Sequence, residues 1–248
     1  MQTGRIDVHG HLLPGIDDGC SDYEESFAVA RALTAAGYTH AFCTPHVWPS
    51  LPNNNVAGIR AAVAKLREQL GAAEIPLKVM GGGELNLLQL GPLLPTLADS
   101  EIVTYGLGSK YMLFDFWTEE YAECKAPLEA AVTHLHGRGF QLILAHPERI
   151  GAIQNSPDAI SRLADLGVLF QLNSWCLGET AGSVTRQLAT RLLEEGRYFL
   201  IGTDLHKPSG MEARLGGIEI AEQIAGREAI RKLTIENPHL LLPTIEIS

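Results

Sequence analysis

Short apolar runs and longer amphipathic stretches take turns along this chain. Ile6 and Val8 form the apolar face of a first strand, Thr39 to Thr44 reads as a second and Leu77 to Met80 as a third. Further strand-like runs occupy Tyr111 to Phe116, Gln141 to His146, Val168 to Asn173 and Arg197 to Asp204. Between them the apolar residues fall at helical spacing. The first helix takes Ser21 or Asp22 as its cap, carries Glu24 and Glu25 in its first turn, and buries a stripe from Phe27 to Ala36 before Gly37 ends it. The second, Val56 to Leu70, lines up Ile59, Val63, Leu66 and Leu70. Others are expected over Glu119 to Arg138, Pro157 to Leu166 and Val184 to Glu195, and the tail is helical from Met211. The stretch from Leu85 to Gly108 is less regular, with a short helix expected near Pro92 to Leu97 and a strand near Ile102.

Seven strand runs alternating with helices indicate parallel βαβ units. A closed or nearly closed (β/α) barrel suits them better than an open sheet. Polar residues of ligand type stand at strand ends throughout the chain, and in a barrel all those ends meet on one rim. At 248 residues the length is ordinary for one such barrel. No repeat, low-complexity tract or linker breaks the chain, so residues 1–248 are expected to form a single domain.

The strand exits supply His9 with His11, then His46, Glu84, Asp115, His146, and Asp204 with His206. His9 and His11 repeat at the strand period of two, which points both imidazoles the same way, and Asp204 with His206 reproduces the spacing. Pro45 cannot donate to a sheet ladder; it marks a strand exit and puts His46 in the loop. Gly81, Gly82 and Gly83 let the backbone bend or approach a bound group, and deliver Glu84. Any one of these residues is, alone, more simply a polar loop residue or a satisfied core histidine. Loop composition does not explain why one exit after another supplies a ligand, so together they point to metal binding. His134 and His136 are a useful contrast. They too are a His-x-His, but on a helix, where residues two apart do not face each other. They are assigned to the helix surface or packing, and His40 and His239 to structure.

With Asp18 the donors suffice for two or three ions. Imidazole and carboxylate without thiolate fit Mn, Fe, Zn or Mg and disfavour iron–sulfur chemistry. The cysteines Cys20, Cys43, Cys124 and Cys176 show no Cys-x-x-Cys spacing. None has an arginine six residues on, where Ser26, Pro49, Ala130 and Gly182 stand, which argues against a thiolate phosphatase. A net charge of −10 disfavours nonspecific nucleic-acid binding, so an anionic substrate must be drawn by cations or local arginines. No run of eighteen apolar residues and no secretory leader is visible, and a cytoplasmic protein without membrane insertion is expected.

Asp-Val-His-Gly-His-Leu-Leu-Pro-Gly-Ile-Asp-Asp-Gly at 7–19, Thr-Pro-His at 44–46, Gly-Gly-Glu at 82–84, Ala-His-Pro-Glu-Arg at 145–149, Gln-Leu-Asn at 171–173 and Thr-Asp-Leu-His at 203–206 resemble the polymerase and histidinol phosphatase (PHP) family. The opening motif and the His-Pro-Glu-Arg run are most similar to the bacterial protein-tyrosine phosphatases of capsule and exopolysaccharide biosynthesis. The resemblance implies a distorted (β/α)7 barrel with three metal ions, usually manganese. It implies His9, His11, Glu84 and Asp204 at a first ion, Glu84, Asp115 and His146 at a second, and Asp18, His46 and His206 at a third. Arg149 would grip the substrate phosphate, and His46 and His206 would assist catalysis. The implied substrate is a phosphotyrosine protein, the tail of a polysaccharide-export tyrosine kinase. Asp115 departs from the pattern, because the family usually has Glu there.

A PHP phosphoesterase acting on a small metabolite, such as histidinol phosphate or a nucleotide, is the nearest alternative. An amidohydrolase-type barrel also opens with His-x-His, but usually bridges its metals with a lysine, and no lysine stands at a strand exit here. A non-enzymatic binding module would tend to lose ligands, whereas every position here keeps a usable donor.

Overall fold

A computed structural model describes residues 4–156 and 158–242. Its elements, in chain order, are β1 (Arg5–Asp7), α1 (Tyr23–Ala35), β2 (Tyr38–Cys43), β3 (His46–Val47), α2 (Val56–Ala72), β4 (Lys78–Gly81), β5 (Glu84–Asn86) and α3 (Leu87–Leu90). They continue with β6 (Tyr111–Asp115), α4 (Tyr121–Gly137), β7 (Gln141–Ala145), α5 (Gly151–Gln154), α6 (Ala159–Asp165), β8 (Leu169–Asn173), α7 (Val184–Glu194), β9 (Leu200–Gly202) and α8 (Met211–Ala225). Every strand pairing is parallel, in the orders β1-β2-β4 and β3-β5-β6-β7-β8-β9. The segments β3 and β5 resume β2 and β4 after breaks at Thr44-Pro45 and Gly82-Gly83. The result is the distorted (β/α)7 barrel, with seven strand positions and two of them interrupted.

Local chemistry sets the helices much as their patterns suggest. Asp22 caps α1 by accepting the Glu25 N–H, and Asn55 caps α2 by accepting from Ala57 and Gly58. Ile59, Val63, Leu66 and Leu70 are the buried stripe of α2, each contributing about 1.5–3 kcal/mol by leaving water. Inside the barrel, Ile6, Val8, Phe42, Met80, Leu113, Ile143 and Leu200 pack with Tyr105 into a solid plug. Tyr105 meets Phe42 edge-on, and its hydroxyl donates to the Val8 carbonyl at 3.0 Å. A second apolar layer fills the space between barrel and helices.

Three details differ from the sequence pattern. Ile102 and Val103 are buried, but as anchors of a loop between single helical turns at Asp99–Glu101 and Tyr105–Leu107, not as a ladder strand. The helix expected near Pro92 shrinks to the turn Leu94–Thr96. The last barrel strand begins at Leu200, not Arg197, and Tyr198 just before it turns its hydroxyl to Glu148 at 3.0 Å. The helix start expected at Pro157 lies outside the described residues. The glycine run is explained by crowding: a Cβ on Gly83 would stand 2.7 Å from the side chains of both Val103 and Val47.

The seam between β9 and β1 is closed by a side chain. Asp7 accepts the backbone N–H of Thr203 at 3.0 Å and its hydroxyl at 2.6 Å. Just above, Asp204 donates its N–H to the His9 carbonyl and His11 donates to Leu205, around a parallel bridge of Gly10 with Leu205. Asp7→Ala would leave the buried Thr203 N–H without an acceptor and its hydroxyl with only the longer contact to the His9 carbonyl at 3.4 Å, at about 1–3 kcal/mol for each donor weakened or unmet. We expect a loss of about 3 kcal/mol, read by calorimetry as a melting temperature roughly 6–12 °C lower. An unchanged melting temperature would mean that the backbone bridge closes the barrel alone.

Candidate active site

The strand ends bring all the sequence-predicted donors to the C-terminal rim. His9 and His11 follow β1, Asp18 stands in the loop before α1, and His46 and Glu84 open β3 and β5. Asp115 ends β6, His146 follows β7, and Asp204 and His206 follow β9. His146 and Asp204 take left-handed backbone, with φ of 34° and 53°, strain of about 1–3 kcal/mol each that is typical of functional sites.

Glu84 is the hub. Its Oε2 lies 3.0 Å from His46 Nδ1, 3.4 Å from His9 Nε2 and 3.7 Å from His11 Nε2, while Oε1 lies 2.8 Å from His146 Nε2. Asp204 Oδ1 stands 3.5 Å from His9 Nε2, 3.4 Å from His11 Nε2 and 3.4 Å from His206 Nδ1. Asp18 faces His46 and His206 at 3.4 and 3.5 Å. Donor atoms of His9, His11 and Glu84 lie within 4.8 Å of one another, as do those of His46, Glu84 and Asp115, and those of His11, Asp18, His46 and His206.

These groupings leave unmet polar atoms. His9 Nε2, His11 Nε2, His46 Nδ1, Glu84 Oε2 and Asp115 Oδ1 are buried without a hydrogen-bond partner. Each such atom is costly in a dry interior. Burial, then the neighbouring Glu84 carboxylate, push Asp115 well above the usual carboxylate range. Burial would raise Glu84 and Asp204 too, but His9 foremost among the surrounding imidazoles holds both well below it. Carboxylates and imidazoles crowded this way are the donor set a divalent cation satisfies.

Outer partners aim the rings. His9 Nδ1 donates to Gln171 Oε1 at 2.8 Å, and His11 Nδ1 to Asp17 Oδ2 at 2.7 Å. Both rings therefore present Nε2 to the centre. Asp17 also accepts the backbone N–H groups of Gly19 and His46, tying three segments together.

Arg149 points inward. Its Nη1 donates to Asp204 Oδ2 at 2.9 Å, and its guanidinium lies 5.6 Å from the ring centre of Trp117 and 5.5 Å from that of Trp175. The neighbouring Glu148 does not pair with it but is buried, where the Asn173 N–H and the Tyr198 hydroxyl satisfy it. Burial pushes its carboxyl up to about 7. Arg214 of α8 joins Arg149, 3.2 Å from the same Asp204 oxygen, and Asn173 donates there as well at 2.7 Å.

Asp17, Gln171, Asn173, Trp117, Trp175 and Arg214 join the site although no sequence motif gives them a role there. Gln171-x-Asn173 carried a readable signal, since it repeats the period-two spacing at a strand end. Arg214 carried none, because only the fold brings a tail-helix arginine to the rim.

A parallel barrel of seven positions carries histidine and carboxylate clusters on its C-terminal rim, a donor arrangement suited to divalent cations. Residues 5–243 match the family model described as capsular polysaccharide synthesis, CpsB/CapC, and the chain belongs to that family. It is 29% identical to the tyrosine-protein phosphatase YwqE of Bacillus subtilis (strain 168), over 96% of this chain and 91% of the relative. It is 22% identical to the tyrosine-protein phosphatase CpsB of Streptococcus pneumoniae, over 96% and 98%. A crystal structure from work on YwqE of Bacillus subtilis and CpsB of Streptococcus pneumoniae, described as unique metal-dependent tyrosine phosphatases, superposes with a TM-score of 0.83 at 28% identity, over 95% of this chain and 94% of the other. Histidinol phosphate phosphatase from Lactococcus lactis subsp. lactis shares the fold alone, with a TM-score of 0.55 and 14% identity over 90% and 94% of the two chains.

Proposed function

We propose that this chain, residues 1–248 acting as one unit, is a metal-dependent protein-tyrosine phosphatase whose substrate is a phosphotyrosine on a bacterial kinase of polysaccharide export. The observation that carries the reading is the set of unpartnered buried nitrogens and carboxylate oxygens around Glu84, beside two arginines that share Asp204. The relatives' names support the phosphotyrosine class.

Three divalent ions are proposed on these donors as the resemblance assigns them, with Mn²⁺ the occupant and Fe or Zn the alternatives. His9, His11, Glu84 and Asp204 would hold the first, Glu84, Asp115 and His146 the second, and Asp18, His46 and His206 the third. Such ions supply Lewis acidity and a water activated near neutral pH. Arg149 and Arg214 bind and orient the phosphate. Nη1 of Arg149 is engaged by Asp204, and the other N–H groups of its planar fork are what a phosphate oxygen would meet. A tyrosine phenol, with a pKa of about 10, leaves without a strong acid. His46 can assist its departure from Nε2, the nitrogen it turns towards Asp18, when no ion takes that atom, whereas His206 donates its Nδ1 proton to the Asp204 carbonyl and keeps the Nε2 lone pair as a ligand.

The test is phosphate release from matched phosphotyrosine and phosphoserine peptides by metal-stripped protein, with and without Mn²⁺. Mn²⁺-dependent release from phosphotyrosine alone is expected. Release from neither, by protein that binds Mn²⁺, would overturn the assignment and move the substrate to a small phosphorylated metabolite.

A further inference from the structure

Asp115 is the one donor whose length departs from what the resemblance implies, and its surroundings answer that departure. Its Oδ2 accepts the indole N–H of Trp117, two residues on, at 2.5 Å. Its Oδ1 is buried with no hydrogen-bond partner, and Asp115 shares a cluster with His46 and Glu84. One oxygen is thus tied down and the other is left facing the centre. Trp117 is itself held in place: its ring lies 5.5 Å from that of His146, and the Arg149 guanidinium stands over it. Its remaining surface is open, at 45% exposure.

We infer that Trp117 is a positioning residue for Asp115: its N–H fixes the carboxylate so that Oδ1 alone is offered to the second ion, letting an aspartate serve there. A short carboxylate has few rotamers that reach a shared ion. A hydrogen bond to the far oxygen selects one of them before the ion arrives and so removes an ordering cost from binding. The same ring touches a proposed ligand, His146, and the proposed phosphate-binding Arg149.

The inference rests on the reading of Asp115 as a metal ligand, and the experiment keeps the two apart. Mn²⁺ binding to metal-stripped protein is followed by calorimetry, with free Mn²⁺ counted by electron paramagnetic resonance. Trp117→Phe keeps an aromatic ring and deletes the N–H. Affinity for one of the bound ions should fall about 10–100-fold, the usual effect of losing an outer-shell partner. The Mn²⁺ concentration giving half-maximal turnover should rise by the same factor. Adding Asp115→Glu to Trp117→Phe gives the carboxylate its own reach and should recover the affinity. Wild-type Mn²⁺ affinity in Trp117→Phe, alongside a lost ion in Asp115→Ala, would overturn this inference and leave the ligand reading intact. Wild-type affinity in Asp115→Ala would overturn both. A double variant binding as poorly as Trp117→Phe would mean general damage, and would also overturn the positioning role.

Discussion

Asp204→Ala and His11→Ala are each expected to lower turnover by about a thousandfold or more, the scale of losing a principal electrostatic stabiliser, with the barrel still folded. Asp204 shows why. One oxygen faces His9, His11 and His206, and the other accepts from Arg149 and Asn173 with Arg214 close by. Its removal takes a ligand from the proposed first ion and frees the two arginines from their common anchor. His11 is aimed from behind by Asp17, so alanine there deletes a ring whose position is already fixed. Neither side chain belongs to the apolar layers that hold the barrel together. Circular dichroism should therefore match the wild type while phosphate release disappears. Release at the wild-type rate in either variant would remove the metal mechanism.

Chelation should have the second largest effect, and on two quantities together. Turnover should stop, and the melting temperature should fall, because the cation-free site leaves Glu84 Oε2, Asp115 Oδ1 and three imidazole nitrogens unmet. An ion held at a thousandfold over its dissociation constant stabilises the native state by about 4 kcal/mol. For a domain of this size that corresponds to roughly 8–16 °C. Restored Mn²⁺ should return both quantities. A melting temperature indifferent to chelation would show that the unmet atoms are satisfied some other way.

Much of this architecture was legible because two periodicities were clean. Ile59, Val63, Leu66 and Leu70 could belong only to a helix with one buried face, and the histidines and carboxylates at successive strand exits made a rim the economical arrangement. What stayed hidden depends on approach in space. Past α3, residues 91–108 have neither period, since their apolar residues anchor single turns instead of a longer element. Arg149 is held by Asp204, 55 residues away along the chain, a contact that no local pattern around Arg149 could show. Arg214 sits on an ordinary helical turn, and no local pattern distinguishes it from a solvated arginine. Trp117 reads as one more apolar residue until its indole N–H is seen on Asp115.

The seam has a temporal consequence. Asp7 and Thr203 are 196 residues apart, and around their contact His9 and His11 meet Asp204 and His206. During synthesis the first pair leaves the ribosome long before the second exists, and contacts of such separation form late. Half-made chains therefore carry histidines but no assembled centre, and hydrolytic competence arrives only with the final βα unit.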